Sequence, residues 1–111
     1  YEIMPSLVGS EMCIRDRSKG GVVQLTKTLA VSWAKDNIQA NTILPGWIHT
    51  DLTSGIKDNF KDRYDHILSR IPDNRWGEPD DLAGTAVFLS SAASDYVTGV
   101  SIPVDGGYTS F

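Results

Sequence analysis

The sequence has one cysteine, Cys13, so no disulfide can form within the chain, which suits a reducing compartment such as the cytoplasm. It has no apolar run near membrane-spanning length; stretches such as Ala86-Val87-Phe88-Leu89 are core-sized. Basic residues are outnumbered, 10 against 14 acids, giving a net charge of −4. That balance argues against nucleic-acid binding, which depends on clustered Lys and Arg. Only two histidines, His49 and His66, are present, and no third ligand type stands at a spacing that would complete a zinc site, so no metal is expected. Internal repeats and low-complexity tracts are also missing. What remains is 111 residues with 41% hydrophobic content, ordinary for one small globular domain or part of one.

The most informative stretch is Asn41-Thr42-Ile43-Leu44-Pro45-Gly46-Trp47-Ile48-His49-Thr50. It reads as a short buried strand, a sharp Pro-Gly exit and a polar loop ending in a hydroxyl. In an open α/β sheet, ligands bind outside the carboxyl ends of the strands. Gly46 permits close backbone approach there, Thr50 offers a hydrogen-bonding side chain and Ile48 an apolar one. Those features suit a flat heteroaromatic ring carrying an amide.

Around this loop the periodicity predicts alternating elements. A helix is expected over Gly20–Asp36, with Val22, Leu25, Leu29 and Trp33 on one face and Val23, Ala30 and Ala34 on a second. Two apolar faces imply burial on both sides: against a sheet and a partner subunit, or within one monomer core. Asp36-Asn37 ends the helix, and a strand is expected over Ile38–Leu44. Thr50–Ser69 reads as one or two short helices, with His66 on one of them. Glu78-Pro79-Asp80-Asp81 is a helix start, with proline preorganised for the first position and acids at the positive end of the dipole. That electrostatic role accounts for Asp80 and Asp81 without a metal. Leu82, Ala83, Ala86, Val87 and Leu89 form the expected buried face. Ser90–Tyr96 reads as a loop or short helical turn. A second strand is expected over Ser101–Val104, then a glycine turn at Asp105-Gly106-Gly107.

Four motifs in order, Ser18-Lys19-Gly20-Gly21, Pro45 to Thr50, Arg75-Trp76-Gly77-Glu78-Pro79 and Val104-Asp105-Gly106-Gly107, closely resemble the C-terminal half of a short-chain dehydrogenase/reductase. The resemblance runs from Ser18 to about Tyr108. It implies the C-terminal part of a doubly wound, parallel-sheet α/β (Rossmann) fold, incomplete in this chain. No Gly-rich strand-to-helix turn precedes Lys19, where the family holds cofactor phosphate. Residues 1–17 lack periodicity and look like translated linker, leaving 18–111 as the family segment.

The resemblance also implies chemistry. The family moves a hydride between NAD or NADP and a hydroxyl or keto substrate. A tyrosine handles the proton, and a lysine four residues later lies on the same helical face. Lys19 matches that lysine, which lowers the phenol pKa and bonds the nicotinamide ribose. The tyrosine position is occupied by Arg15, which has no acidic hydroxyl. Tyr1, eighteen positions before Lys19, lacks the required spacing. Pro45, Gly46, Ile48 and Thr50 match the nicotinamide loop: the Ile48 backbone would meet the carboxamide, and Thr50 the carboxamide or a phosphate. His49 is read as an exposed, variable residue. The implied parent is a cytoplasmic homo-oligomer, dimer or tetramer, acting on a sugar acid or polyol. A 3-oxoacyl-carrier-protein reductase, or a non-catalytic fragment that only associates with other subunits, is the alternative. The chain as written is expected to be inactive.

Overall fold

The computed structural model describes residues 10–110, with side chains from Ser18 onward. The order is helix α1 (Ser10–Trp33), strand β1 (Thr42–Pro45), helices α2 (Asp51–Asn59) and α3 (Lys61–Ser69), helix α4 (Ala83–Leu89) and strand β2 (Ser101–Val104). Short 3₁₀ turns lie at Ala34–Asp36, Pro79–Leu82 and Ala92–Ser94. The chain divides into two compact units: residues up to Thr42 with Tyr96–Ser101, and Ile43–Asp95 with Ile102 onward.

In the first unit, α1 begins before the expected Gly20 and runs through Gly20-Gly21. Each mid-helix glycine costs about 1 kcal/mol relative to alanine. The expected boundary at Ser18 therefore falls inside the helix, and residues 1–9 lie outside the described residues. The covered stripe of α1 is not the one with the largest side chains. Thr26 and Ala30 are buried and Val23 and Leu29 half-buried, while Val22, Leu25, Val31 and Trp33 are exposed. Thr26 sits inside because its hydroxyl donates to the Val22 carbonyl at 2.7 Å, leaving no unmet donor. The helix stops as its sequence predicts. Asn37 adopts the left-handed conformation (φ 60°) and its N–H bonds the Ala34 carbonyl.

The strand expected over Ile38–Leu44 pairs as a ladder only from Thr42. Ahead of it, side chains substitute for ladder bonds. Gln39 Nε2 and Asn41 Nδ2 both donate to the Val97 carbonyl, at 2.9 and 3.0 Å. Asn41 Oδ1 accepts from the Val100 N–H at 3.0 Å. Such bonds offer the backbone an alternative to the sheet. β1 and β2 form a two-stranded sheet. Thr42 N–H donates to Val100 O and Gly46 N–H to Val104 O, an equal advance along both chains that makes the pair parallel.

The second unit has its own apolar centre. Ile67, Ile71 and Trp76 are buried, with Trp47, Ile56, Tyr64, Leu68 and Tyr108 packed against them. The predicted short helices after Thr50 are α2 and α3. In α4 the expected buried face is only partly covered: Leu82 and Leu89 are half-buried, but Ala83, Ala86 and Val87 are exposed. Periodicity located that face, yet the described residues supply no surface to cover most of it.

Candidate functional site

The loop leaving β1 is held by backbone contacts that its composition permits. Gly46 lies so close to Asp105 that an added Cβ would meet the Asp105 Cβ at 2.5 Å and its Cα at 2.7 Å. Any side chain there would force the strand ends apart. Beyond it, Ile48 forms a parallel bridge with Gly77. His49 N–H donates to Gly77 O at 2.8 Å, and Gly77 N–H donates to Trp47 O at 2.9 Å. Thr53 Oγ1 then donates to Ile48 O at 2.8 Å. The Trp47 and Ile48 N–H groups have no acceptor among the described residues.

Gly77 is itself fixed by a charged clasp. Arg75 makes a two-pronged contact with Asp81, Nη1 to Oδ2 at 2.8 Å and Nη2 to Oδ1 at 3.2 Å. Its Nε lies 3.1 Å from Asp73 Oδ2. Asp81 Oδ2 also accepts the Glu78 N–H at 2.7 Å, capping the turn that follows. The guanidinium bond first, and this backbone N–H second, hold the Asp81 pKa down at about 2. The sequence placed Asp80 and Asp81 at a helix start, and the structure assigns Asp81 that role. Among the described residues no group of three His, Cys, Asp or Glu is placed to hold a metal.

Asp105 closes the other side. Burial works against its charge, but the Thr109 hydroxyl and the Gly107 and Thr109 N–H groups outweigh that and keep its pKa below the usual carboxylate value. A cleft of about 240 Å³ is lined by Trp47, Ile48, Arg75, Asp81 and Asp105 among others. A second, wider hollow of about 330 Å³ lies at the start of α2, among His49, Thr50, Asp51, Ser54, Lys57 and Asp58.

The predicted residues are thus distributed. Ile48 faces the first cleft and Thr50 the second hollow; Pro45 is exposed at the end of β1 and lines neither. Thr50 is the N-cap of α2: its Oγ1 accepts from Thr53 N–H at 3.3 Å, and Thr53 Oγ1 accepts from Thr50 N–H at 2.8 Å. This reciprocal box satisfies helix-end donors. Lys19 is exposed on α1 in the first unit, whereas the Pro45–Thr50 loop begins in the second. The Arg15 side chain lies outside the described ones.

One reading needs correction. His49 is not a free surface residue. Its Nδ1 lies 2.8 Å from Glu78 Oε1 and its Nε2 3.1 Å from the Tyr64 hydroxyl. Its ring stacks on Trp76, with centroids 5.4 Å apart and planes within 9°. Tyr64, Trp76 and Glu78 were not singled out as site residues, and no local pattern pairs residues 15 to 29 positions apart. His66 lies on α3, as expected.

Residues 7–109 match a family model described as enoyl-(acyl carrier protein) reductase. The relatives it resembles have the doubly wound dehydrogenase fold. The chain belongs to the short-chain dehydrogenase/reductase family. Among curated members of that family, the chain is 54% identical over 93 residues to 2-dehydro-3-deoxy-D-gluconate 5-dehydrogenase of Bacillus subtilis, covering 84% of this chain and 36% of the relative. It is 41% identical to an NADH-dependent L-xylulose reductase of Ambrosiozyma monospora, covering 88% of this chain and 36% of that protein. A gluconate 5-dehydrogenase from Burkholderia cenocepacia, solved with NADP and tartrate, superposes with a TM-score of 0.81 at 44% identity, over 86% of this chain and 37% of that one. The chain therefore spans little more than a third of these short-chain dehydrogenases. No helix among its described residues is long and apolar enough to cross a membrane.

Proposed function

We propose that this chain is the nicotinamide-side portion of an NAD(P)-dependent dehydrogenase acting on a sugar acid or polyol. The observation that carries the reading is the Ile48 N–H. Like the adjacent Trp47 N–H it has no acceptor among the described residues, and it stands just past the carboxyl end of a parallel strand, next to the cleft that Ile48 lines. A carboxamide oxygen is a fitting acceptor. Thr50 faces the neighbouring hollow at the positive end of α2, where it would meet the carboxamide or a phosphate; its Oγ1 accepts from the Thr53 N–H and lies 3.4 Å from Thr53 Oγ1.

NAD or NADP would supply the hydride acceptor or donor. The residues of this chain bind, orient and support proton movement. Pro45 and Gly46 set the direction of the loop, Ile48 and Thr50 hold the carboxamide side, and Lys19 bonds the ribose and lowers the pKa of a tyrosine four residues earlier. Arg15 stands where that tyrosine belongs and has no proton to exchange near neutral pH, so the chain as written is inactive. Residues 1–17 are proposed to be non-native, a reading that rests on the sequence alone. The native protein is proposed to be a cytoplasmic homo-oligomer joined through the exposed face of α1.

The test is a substrate panel with the full-length protein carrying residues 18–111 behind its native N-terminal half. Reduction of NAD(P) with gluconate-type acids or polyols is expected. Turnover of 3-oxoacyl thioesters alone would replace this reading with the reductase one, and activity of the isolated 111-residue chain would refute the role given to Arg15.

A further inference from the structure

Asp105 follows β2 and opens the glycine turn. It is also the one position in the sequence where an aspartate or asparagine precedes glycine. Glycine adds no side chain around its nitrogen, so an acid before it is open to attack from the main chain. The Gly106 nitrogen can bond the Asp105 Cγ. The C–N bond forms, the Cγ–OH bond breaks, and the Gly106 amide proton leaves with the hydroxyl as water. Water then reopens the resulting succinimide at either carbonyl. One product is the original aspartate; the other is isoaspartate, in which the main chain runs through Cβ.

The structure holds this pair away from ring closure in two ways. Both carboxylate oxygens are engaged farther along the turn. Oδ1 accepts from the Gly107 N–H at 3.0 Å, and Oδ2 accepts from the Thr109 hydroxyl and, at 3.2 Å, from the Thr109 N–H. Burial opposes the charge, but these bonds outweigh it and keep the carboxyl ionised at neutral pH. An ionised carboxylate has no hydroxyl to release. Closure also requires the peptide between Asp105 and Gly106 to rotate, and both residues are pinned. The Asp105 carbonyl accepts from the Tyr108 N–H at 3.1 Å, and the Gly106 carbonyl from the Asp73 N–H at 3.0 Å. The attacking Gly106 N–H, by contrast, has no acceptor among the described residues.

We propose that Asp105-Gly106 is a latent isomerisation site, kept closed in the folded protein by the Thr109 hydroxyl and opened when the turn loosens. The product would disturb the exits of both strands. The Asp105 Cβ is the atom that a side chain on Gly46 would meet first, at 2.5 Å. Isoaspartate puts that carbon into the main chain, so the backbone lengthens at its close approach to Gly46.

The experiment incubates the full-length protein carrying these residues at neutral pH in heavy-oxygen water. Each succinimide that reopens takes up one heavy oxygen, and electron-transfer fragmentation of the peptide spanning residue 105 separates aspartyl from isoaspartyl forms. The parent, Thr109→Val and Thr109→Ser are compared, each folded and in denaturant. Folded Thr109→Val, similar in shape but without the hydroxyl, should isomerise about two- to tenfold faster than the parent, as expected for losing one hydrogen bond. Thr109→Ser keeps a hydroxyl and should stay near the parent. In denaturant all three should react alike, and faster than the folded parent. A folded parent that isomerises as fast as the denatured one would overturn the proposal. Equal folded rates for the parent and Thr109→Val, or an acceleration in Thr109→Ser as large as in Thr109→Val, would also overturn it.

Discussion

The two units of the chain treat their large side chains in opposite ways. In the second, Trp47, Tyr64, Trp76 and Tyr108 turn inward onto Ile67 and Ile71, and Arg75 beside them is paired with Asp73 and Asp81. In the first, α1 covers its small residues, Thr26 and Ala30, and leaves Leu25 56% and Val31 81% exposed. One part carries a centre of its own; the other presents an apolar face without cover among the described residues. Local pattern therefore reports which face is apolar, whereas coverage depends on what else is present. The same distinction applies to α4, where Val87 is 67% exposed.

The largest expected effect tests the second unit. Trp76→Ala removes the indole on which His49, Tyr64 and Trp47 rest, and should cost about 3–5 kcal/mol. Thermal melting of the full-length protein, with exchange over Lys61–Ser69, would read it. A loss below about 1 kcal/mol would mean that this centre contributes little.

The next effect belongs to α1. Lys19→Ala in the full-length dehydrogenase should lower the rate at least about tenfold, a conservative bound for support of acid–base catalysis. Unchanged turnover would remove Lys19 from the chemistry and leave α1 a purely structural helix.

Leu25→Glu sharpens the contrast. At an exposed position away from special features, such a change alters monomer stability by about 0.5 kcal/mol or less. If α1 forms an isologous interface, each substitution places two charges in it, one from each subunit. Sedimentation should then show dissociation of the full-length assembly with little change in subunit folding; an intact oligomer would locate the interface elsewhere.

The smallest effect lies in the Arg75–Asp81 clasp. The folded-state pKa of Asp81, about 2, is below its ordinary 3.8, so its ionised form favours the fold above that ordinary value. The contribution declines as pH falls from about 3.8 through about 2. Asp81→Asn should flatten stability against pH in that window and leave its slope near pH 7 unchanged. Because the pair is solvent-exposed, the change is expected to be small.

Much of this architecture was legible in the sequence. β2 has the expected bounds, Asn37 ends the helix, and α2 and α3 occupy the predicted helical stretch. These are local signals: alternation, a left-handed cap, a three- and four-residue period. β1 came out shorter because Gln39 and Asn41 side chains take bonds that a ladder would otherwise make, and their partners lie more than fifty residues away. The site was legible in part. Pro45, Gly46, Ile48 and Thr50 stand along one loop, but Thr50 is also the cap of α2, and Ile48 and Thr50 face different hollows. His49 was misread because its partners, Tyr64, Trp76 and Glu78, reach it only through the fold.

The central claim is that the Ile48 N–H is held open for a cofactor carboxamide. Ile48→Pro deletes that donor without breaking any bond the N–H makes within the described residues. Equilibrium titration of the full-length protein with NADPH and NADH measures the result directly. Binding about three- to tenfold weaker, the worth of one hydrogen bond, is predicted. A dissociation constant unchanged from that of the parent, with both cofactors, would contradict it.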